Sequence, residues 1–130
     1  MRFHTAVNKF IWQASMGIPL TVWSSALDQN RPYLDLEDAV RALHFIIDHD
    51  LFSGEIYNVL TMNATVRQIV AAIAEFVPDL QVSYVDSRIM NQLSYTVSCQ
   101  KFCNLGFEFT GDLRRRVAES VALLKGIRRW

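Results

Sequence analysis

Gly17-Ile18-Pro19-Leu20-Thr21-Val22-Trp23 and, after a polar stretch, Arg31-Pro32-Tyr33-Leu34-Asp35-Leu36-Glu37-Asp38-Ala39-Val40 are the run whose reading decides the fold. Pro19 opens a segment rich in β-formers, so Pro19 to Trp23 reads as a strand entered at a proline. Upstream, Val7, Phe10, Ile11 and Ala14 recur at the spacing of one helical face, which predicts a helix over about His4 to Met16. Gly17 tolerates the left-handed conformation that closes such a helix. Ser24 to Asn30 is polar and reads as a loop. Asp35 is a plausible N-cap for a helix that places Val40, Leu43 and Ile47 on one side, with Ala39 and Ile46 adjoining.

Further along, His49-Asp50 ends that helix, Ser53-Gly54 turns the chain, and Glu55 to Leu60 is strand-like. Thr65-Val66-Arg67-Gln68 has the form of a capping box, in which hydroxyl and amide satisfy each other's orphan backbone donors. Val66, Ile69, Val70, Ile73 and Phe76 make a helical stripe behind it, ended by Pro78. Gln81 to Val85 is another strand candidate, and Asp86 to Ser98 is irregular. A short helix around Cys99 to Asn104 stops at Gly106. A last amphipathic helix, about Asp112 to Lys125, turns Leu113, Val117, Val121 and Leu124 inward. The expected class is mixed α/β, helix-dominated, with short strands, in a single domain over 1–130.

Composition narrows the function. The 130 residues carry 13 Lys+Arg against 13 Asp+Glu, 51% are hydrophobic and 20% charged. A disordered chain needs low hydrophobicity and high net charge, so that class is excluded. No apolar run approaches the roughly 20 residues needed to span a bilayer. The even charge gives no bulk attraction to nucleic acid, because Asp112 and Glu119 flank the Arg114-Arg115-Arg116 cluster. The start lacks a secretory pattern, which makes a cytoplasmic location the expectation. Cys99 and Cys103 lack the second pair of ligands a structural zinc wants and read as packing thiols.

Self-contained catalytic machinery is missing from the sequence. The glycines at 17, 54, 106, 111 and 126 never form a phosphate-cradling cluster, and no serine sits in a nucleophile elbow. His44, Asp48, His49 and Asp50 are the densest group of potential metal ligands, but a solvated helix end explains them better, and no metal is expected.

The order of these elements resembles extended short-chain dehydrogenase/reductases, the NAD-dependent nucleotide-sugar epimerases and dehydratases. Gly17 to Trp23 with Arg31 to Val40 looks like their glycine-x-proline strand followed by an arginine–aromatic segment. Glu55-Ile56-Tyr57-Asn58-Val59 looks like their tyrosine-asparagine strand, and Ser98 through Leu105-Gly106-Phe107 like the short helix before their last one. The resemblance covers essentially the whole chain but implies only the C-terminal half of that family, a substrate-binding portion without a complete Rossmann domain. The dinucleotide fold and the Tyr-x-x-x-Lys pair belong to the other half. Here Tyr33, Tyr57, Tyr84 and Tyr95 are followed four residues on by Glu37, Thr61, Arg88 and Cys99, never by lysine. A fragment of a larger protein is therefore expected, with NAD or NADP implied for the complete protein and no cofactor for this chain alone.

The resemblance also implies a substrate site for a nucleoside diphosphate-sugar. Arg31 matches the arginine that pairs with the diphosphate, a role that suits a planar guanidinium with two parallel donors, although Pro32 replaces the usual Asp. Trp23 falls where an aromatic residue lies beside the base, with a buried core tryptophan as the alternative. Asn8 matches a polar position near sugar or phosphate. Arg88 fits a second phosphate arginine, and Asn91 or Gln92 stands where a ribose-binding acid is usual. Expected partners are a nucleotide-sugar, a missing Rossmann half or a partner chain, and a possible homodimer. The competing expectation is a stand-alone interaction or dimerisation domain that binds no nucleotide.

Overall fold

Residues 5–86 and 94–127 are described by a computed structural model of the chain. They divide into two compact units, each assembled from separate stretches. The first comprises Met1–Gln29, Thr65–Leu93 and Leu113–Trp130; the second comprises Asn30–Ala64 and Ser94–Asp112.

In the first unit, helix α1 (Ala6–Ser15) leads through Gly17, at φ +65°, into strand β1 (Leu20–Trp23) and a 3-10 turn (Ser24–Ala26). Helix α3 (Val66–Ala74) begins at Thr65 with the expected reciprocal cap. Gln68 N–H donates to Thr65 Oγ1 at 3.2 Å, and Thr65 N–H donates to Gln68 Oε1 at 2.8 Å. Strand β4 (Val82–Val85) lies parallel to β1, with Leu20 opposite Val82 and Trp23 opposite Val85. Parallel neighbours need a long crossover, which this chain supplies with the intervening helices. Helix α5 (Leu113–Leu124) packs with α1 and α3 over a core of Phe10, Ile11, Ile69, Ile73, Val117 and Val121. Each such side chain contributes about 1.5–3 kcal/mol by leaving water. The result is an α/β unit with an incomplete, Rossmann-like sheet.

The second unit holds strand β2 (Asn30–Tyr33), paired with β3 (Met62–Thr65, of which Met62 to Ala64 belong to this unit), and helices α2 (Leu36–Asp48) and α4 (Gln100–Cys103). Asp35 caps α2, accepting from Glu37 N–H at 2.8 Å. Its core is aromatic. The buried Phe102 ring lies 4.9 Å from Phe107 and 5.6 Å from Phe45 and from Tyr57, centroid to centroid.

Three local expectations are corrected here. Asn30 is not the end of a loop but the start of β2, which runs through Arg31-Pro32 and carries none of the β-branched residues that announce a strand. Glu55 to Leu60 is not a strand. Its β-prone residues find no ladder among the described residues, and Ile56 is 83% exposed. The apolar side of α2 does not enter the core: Leu36, Val40, Leu43 and Ile47 are 48% to 80% exposed, while Asp38 and Ala42 are buried. Periodicity shows that a face is apolar, not what covers it. No helix among the described residues is long and apolar enough to cross a membrane.

Candidate functional site

Arg31 occupies the middle of β2, and the strand around it is anchored by chain far away in sequence. Asn30 N–H donates to Ser94 Oγ at 2.9 Å, and Tyr95 N–H donates to Asn30 O at 3.3 Å. These bonds bring the Tyr95 ring beneath the Arg31 guanidinium, 5.2 Å from its centroid. Stacking on an aromatic face steadies a guanidinium without consuming its N–H donors. Arg31 Nη1 also donates to Asn30 O at 2.7 Å, which fixes the side chain along the strand. Next door, burial pushes the Tyr33 phenol above its ordinary range, with the Arg31 charge opposing the shift.

Below this strand lies a buried carboxylate. Asp38 accepts from Thr61 Oγ1 at 2.7 Å, Arg41 Nη1 at 2.9 Å, and the backbone N–H groups of Thr110 and Gly111 at 3.0 Å each. Burial raises its titration point, but these bonds and the Arg41 charge together hold it below the usual carboxylate value. Thr61 Oγ1 also accepts from Asp35 N–H at 2.9 Å, joining the cradle to the start of α2. Gly111 closes it: a Cβ there would lie 2.6 Å from Asp35 Cβ, 2.7 Å from Thr61 Cγ2 and 2.8 Å from Asp38 Oδ2. Gly111→Ala is expected to destabilise the chain by about 1–3 kcal/mol through this overpacking. Urea unfolding checks it, and a midpoint equal to wild type contradicts the close packing.

In the first unit, Trp23 ends β1 on the side that alternates outward, with Leu20 and Val22 buried and Trp23 43% exposed. Its indole is therefore partly exposed and is not a core side chain. Tyr84, in the neighbouring strand, is also exposed and was not singled out by the sequence. Asn8 is half-buried in α1. Trp23 and Asn8 thus belong to one unit and Arg31 to the other, whereas Arg88, Asn91 and Gln92 lie outside the described residues.

Tyr95, Ser94 and Asp38 are the residues sequence reasoning missed. Tyr95 and Ser94 fall in an irregular stretch with no periodic signal, and Asp38 read only as part of a motif. A shallow groove of about 400 Å³ runs along α2, lined by His44, Asp48, His49 and Glu108 among others. His49 is engaged locally, its Nδ1 2.9 Å from Phe45 O and its ring stacked on Phe45. No group of three or more His, Cys, Asp or Glu side chains able to hold a metal is found among the described residues.

The adjacent N–H groups of Thr110 and Gly111, a ready anion cradle, are already filled by the Asp38 carboxylate, which would repel a phosphate. Gly17, Gly106 and Gly126 follow helix C-termini at positive φ, the end of a helix that repels anions.

Comparison with known proteins places these features in a family context. The family described as "NAD dependent epimerase/dehydratase family" matches residues 2–59, a stretch containing Asn8, Trp23 and Arg31. UDP-sulfoquinovose synthase of Spinacia oleracea is 36% identical over 75 residues, 56% of this chain and 15% of that protein. Its counterpart from Sulfolobus acidocaldarius is 37% identical over 73 residues, 56% of this chain and 18% of that protein. The fold is similar to UDP-glucose 4-epimerase of Thermus thermophilus, solved in complex with NAD, at a TM-score of 0.75 and 23% identity, covering 93% of this chain and 40% of that one. It is also similar to RMD of Pseudomonas aeruginosa, solved with NADPH, at a TM-score of 0.81 and 16% identity, covering 96% and 44%. The chain is thus related to the NAD-dependent epimerase/dehydratase proteins, and it spans less than half the length of these relatives.

The family match also corrects the sequence reading. It lies at residues 2–59, in the N-terminal half, and overturns both the expected C-terminal substrate-binding portion and the fold assignment built on it. The motif at Ser98 to Phe107 falls outside the match. Its Leu105-Gly106-Phe107 signature is a generic helix stop, with Gly106 at φ +96° ending α4, and such stops recur in unrelated folds. What stands is a mixed α/β chain with an incomplete Rossmann-like sheet and the family signature at its start.

Proposed function

We propose that this chain is a nucleotide-sugar-binding portion of an epimerase/dehydratase-like protein, incomplete as a catalyst by itself. The observation that carries this reading is Arg31, set on an anchored strand and braced on Tyr95, a planar donor group of the kind that pairs with a diphosphate. The family match over the stretch containing Arg31, Trp23 and Asn8 supports it, as do relatives whose names specify UDP-sugars. In this reading Trp23 stacks on the base and Asn8 meets sugar or phosphate, while Arg88 and Asn91 or Gln92 add phosphate and ribose contacts. NAD or NADP is assigned to the complete protein, outside these residues, and turnover is not assigned to this chain.

The test is calorimetric titration of the 130-residue chain with UDP-glucose. Binding is expected, and Arg31→Ala should weaken it by about 10- to 100-fold, the worth of a charge-assisted hydrogen bond pair. Arg31→Lys keeps the charge but loses the planar donor pair, so its affinity should fall between the two. Absence of binding by the wild-type chain, or equal affinity in Arg31→Ala, rejects the reading.

A second reading has its own observation. The outward stripe of Leu36, Val40, Leu43 and Ile47 suits a chain whose task is to dock on another polypeptide. A missing Rossmann half, a partner chain or a second copy would each cover it. Dimerisation in analytical ultracentrifugation without nucleotide binding supports this alternative against the first.

A further inference from the structure

Cys99 precedes α4 as its N-cap residue and Cys103 is the last residue of that helix, so the two flank a single turn. Their sulfurs lie 3.3 Å apart, neither is in a disulfide, and both are half-buried, not sealed in the core. The turn between them is tied at both ends, because Phe102 N–H and Cys103 N–H each donate to Cys99 O at 2.9 Å. A four-residue step along a helix rises about 6 Å, inside the Cα separation of about 4.4–6.8 Å that a disulfide accepts. Closure brings the sulfurs from 3.3 Å to about 2.05 Å.

We propose that Cys99 and Cys103 are an oxidisable thiol pair that closes to an intramolecular disulfide across α4 when the chain meets a peroxide. The hydrogen bond sets the order of events. Cys103 donates its S–H to the Cys99 sulfur, and burial together with this bond holds the Cys103 thiol above its ordinary range. Cys99 is therefore the sulfur that reacts first. As the thiolate, it attacks one peroxide oxygen; the O–O bond breaks, the other oxygen leaves as water after taking a proton, and Cys99 becomes a sulfenic acid. The Cys103 sulfur then attacks the Cys99 sulfur, the S–O bond breaks, and a second water departs with the Cys103 proton. Two thiols and one hydrogen peroxide thus give one disulfide and two waters, with two electrons passed to the peroxide. Phe102, between the two cysteines, is the buried centre of the aromatic cluster, so closing the clip strains the packing it anchors.

The chain holds two cysteines in all, which makes the test unambiguous. The 130-residue chain is treated with hydrogen peroxide, denatured, alkylated with iodoacetamide and weighed. The expected product is a monomer with no alkylated cysteine, whose Cys99–Cys103 peptide is about 2 Da lighter than the dithiol form, and dithiothreitol restores two alkylatable cysteines. Cys103→Ser is expected to stop at a Cys99 sulfenic acid that dimedone captures, whereas Cys99→Ser should leave Cys103 largely unlabelled over the same time. The proposal is overturned if wild type keeps two alkylatable thiols, forms disulfide-linked dimers, or passes directly to sulfinic acids. Equal dimedone capture in the two single variants overturns the assigned order.

Discussion

Asp38→Ala is expected to lower the unfolding free energy by about 2–4 kcal/mol, because it removes a charged acceptor and leaves several inward-facing donors unsatisfied. The loss falls on the groups left behind. Thr61 Oγ1 and the Thr110 and Gly111 N–H groups point at the vacated position and lose this acceptor together, while Arg41 keeps Thr110 Oγ1 at 2.7 Å. Asp38→Asn keeps the shape but turns an NH₂ toward donors, so much of the loss should persist. Acid gives the same answer without mutation. The folded carboxyl titrates below its unfolded value of about 3.9, so its stabilisation is complete above that pH and disappears as pH falls through the lower, folded value. Urea unfolding at pH 7 and pH 3 should show wild type and Asp38→Ala converging on acidification. A gap that stays constant between the two pH values contradicts the role given to the cradle.

Phe102→Ala is expected to cost about 3–5 kcal/mol, as for other buried aromatic truncations. Its ring contacts Phe45, Tyr57, Phe107 and Phe109, in tilted or edge-to-face pairs that add to the area it buries. Truncation therefore leaves a cavity bounded by stiff rings, which relax poorly into it. The urea midpoint should fall at an unchanged slope, while Leu123→Ala, on an exposed helix position, should stay within about 0.5 kcal/mol of wild type. Equal midpoints for the two variants would show that the aromatic cluster is not the centre of its unit.

Legibility from sequence followed the range of the interaction. The Gly17 stop, the strand ending at Trp23, the Asp35 cap and the Thr65–Gln68 box are local, and composition and spacing specify them within a few residues. What escaped was set at long range. The ladder that makes Asn30–Tyr33 a strand comes from Met62–Thr65, and the ring under Arg31 comes from position 95. The cradle around Asp38 joins residues 61 and 110–111. The same limit explains Glu55–Leu60, whose β-propensity is real but which finds no strand ladder among the described residues. For the candidate site, the residue types at Arg31 and Trp23 were visible; the stacking of Arg31 on Tyr95 was not.

The chain passes from one unit to the other at 29/30, 64/65, 93/94 and 112/113. Neither unit is therefore a contiguous stretch of gene, and no single restriction boundary or deletion can release one intact. A truncation at Ala64 would keep α2 yet remove Tyr95 and the Thr110–Gly111 turn that complete its surroundings. Recombination can thus shuffle this segment only whole. During synthesis, a ribosome must deliver Gly111 before the carboxylate at position 38, made more than seventy residues earlier, has its full set of donors.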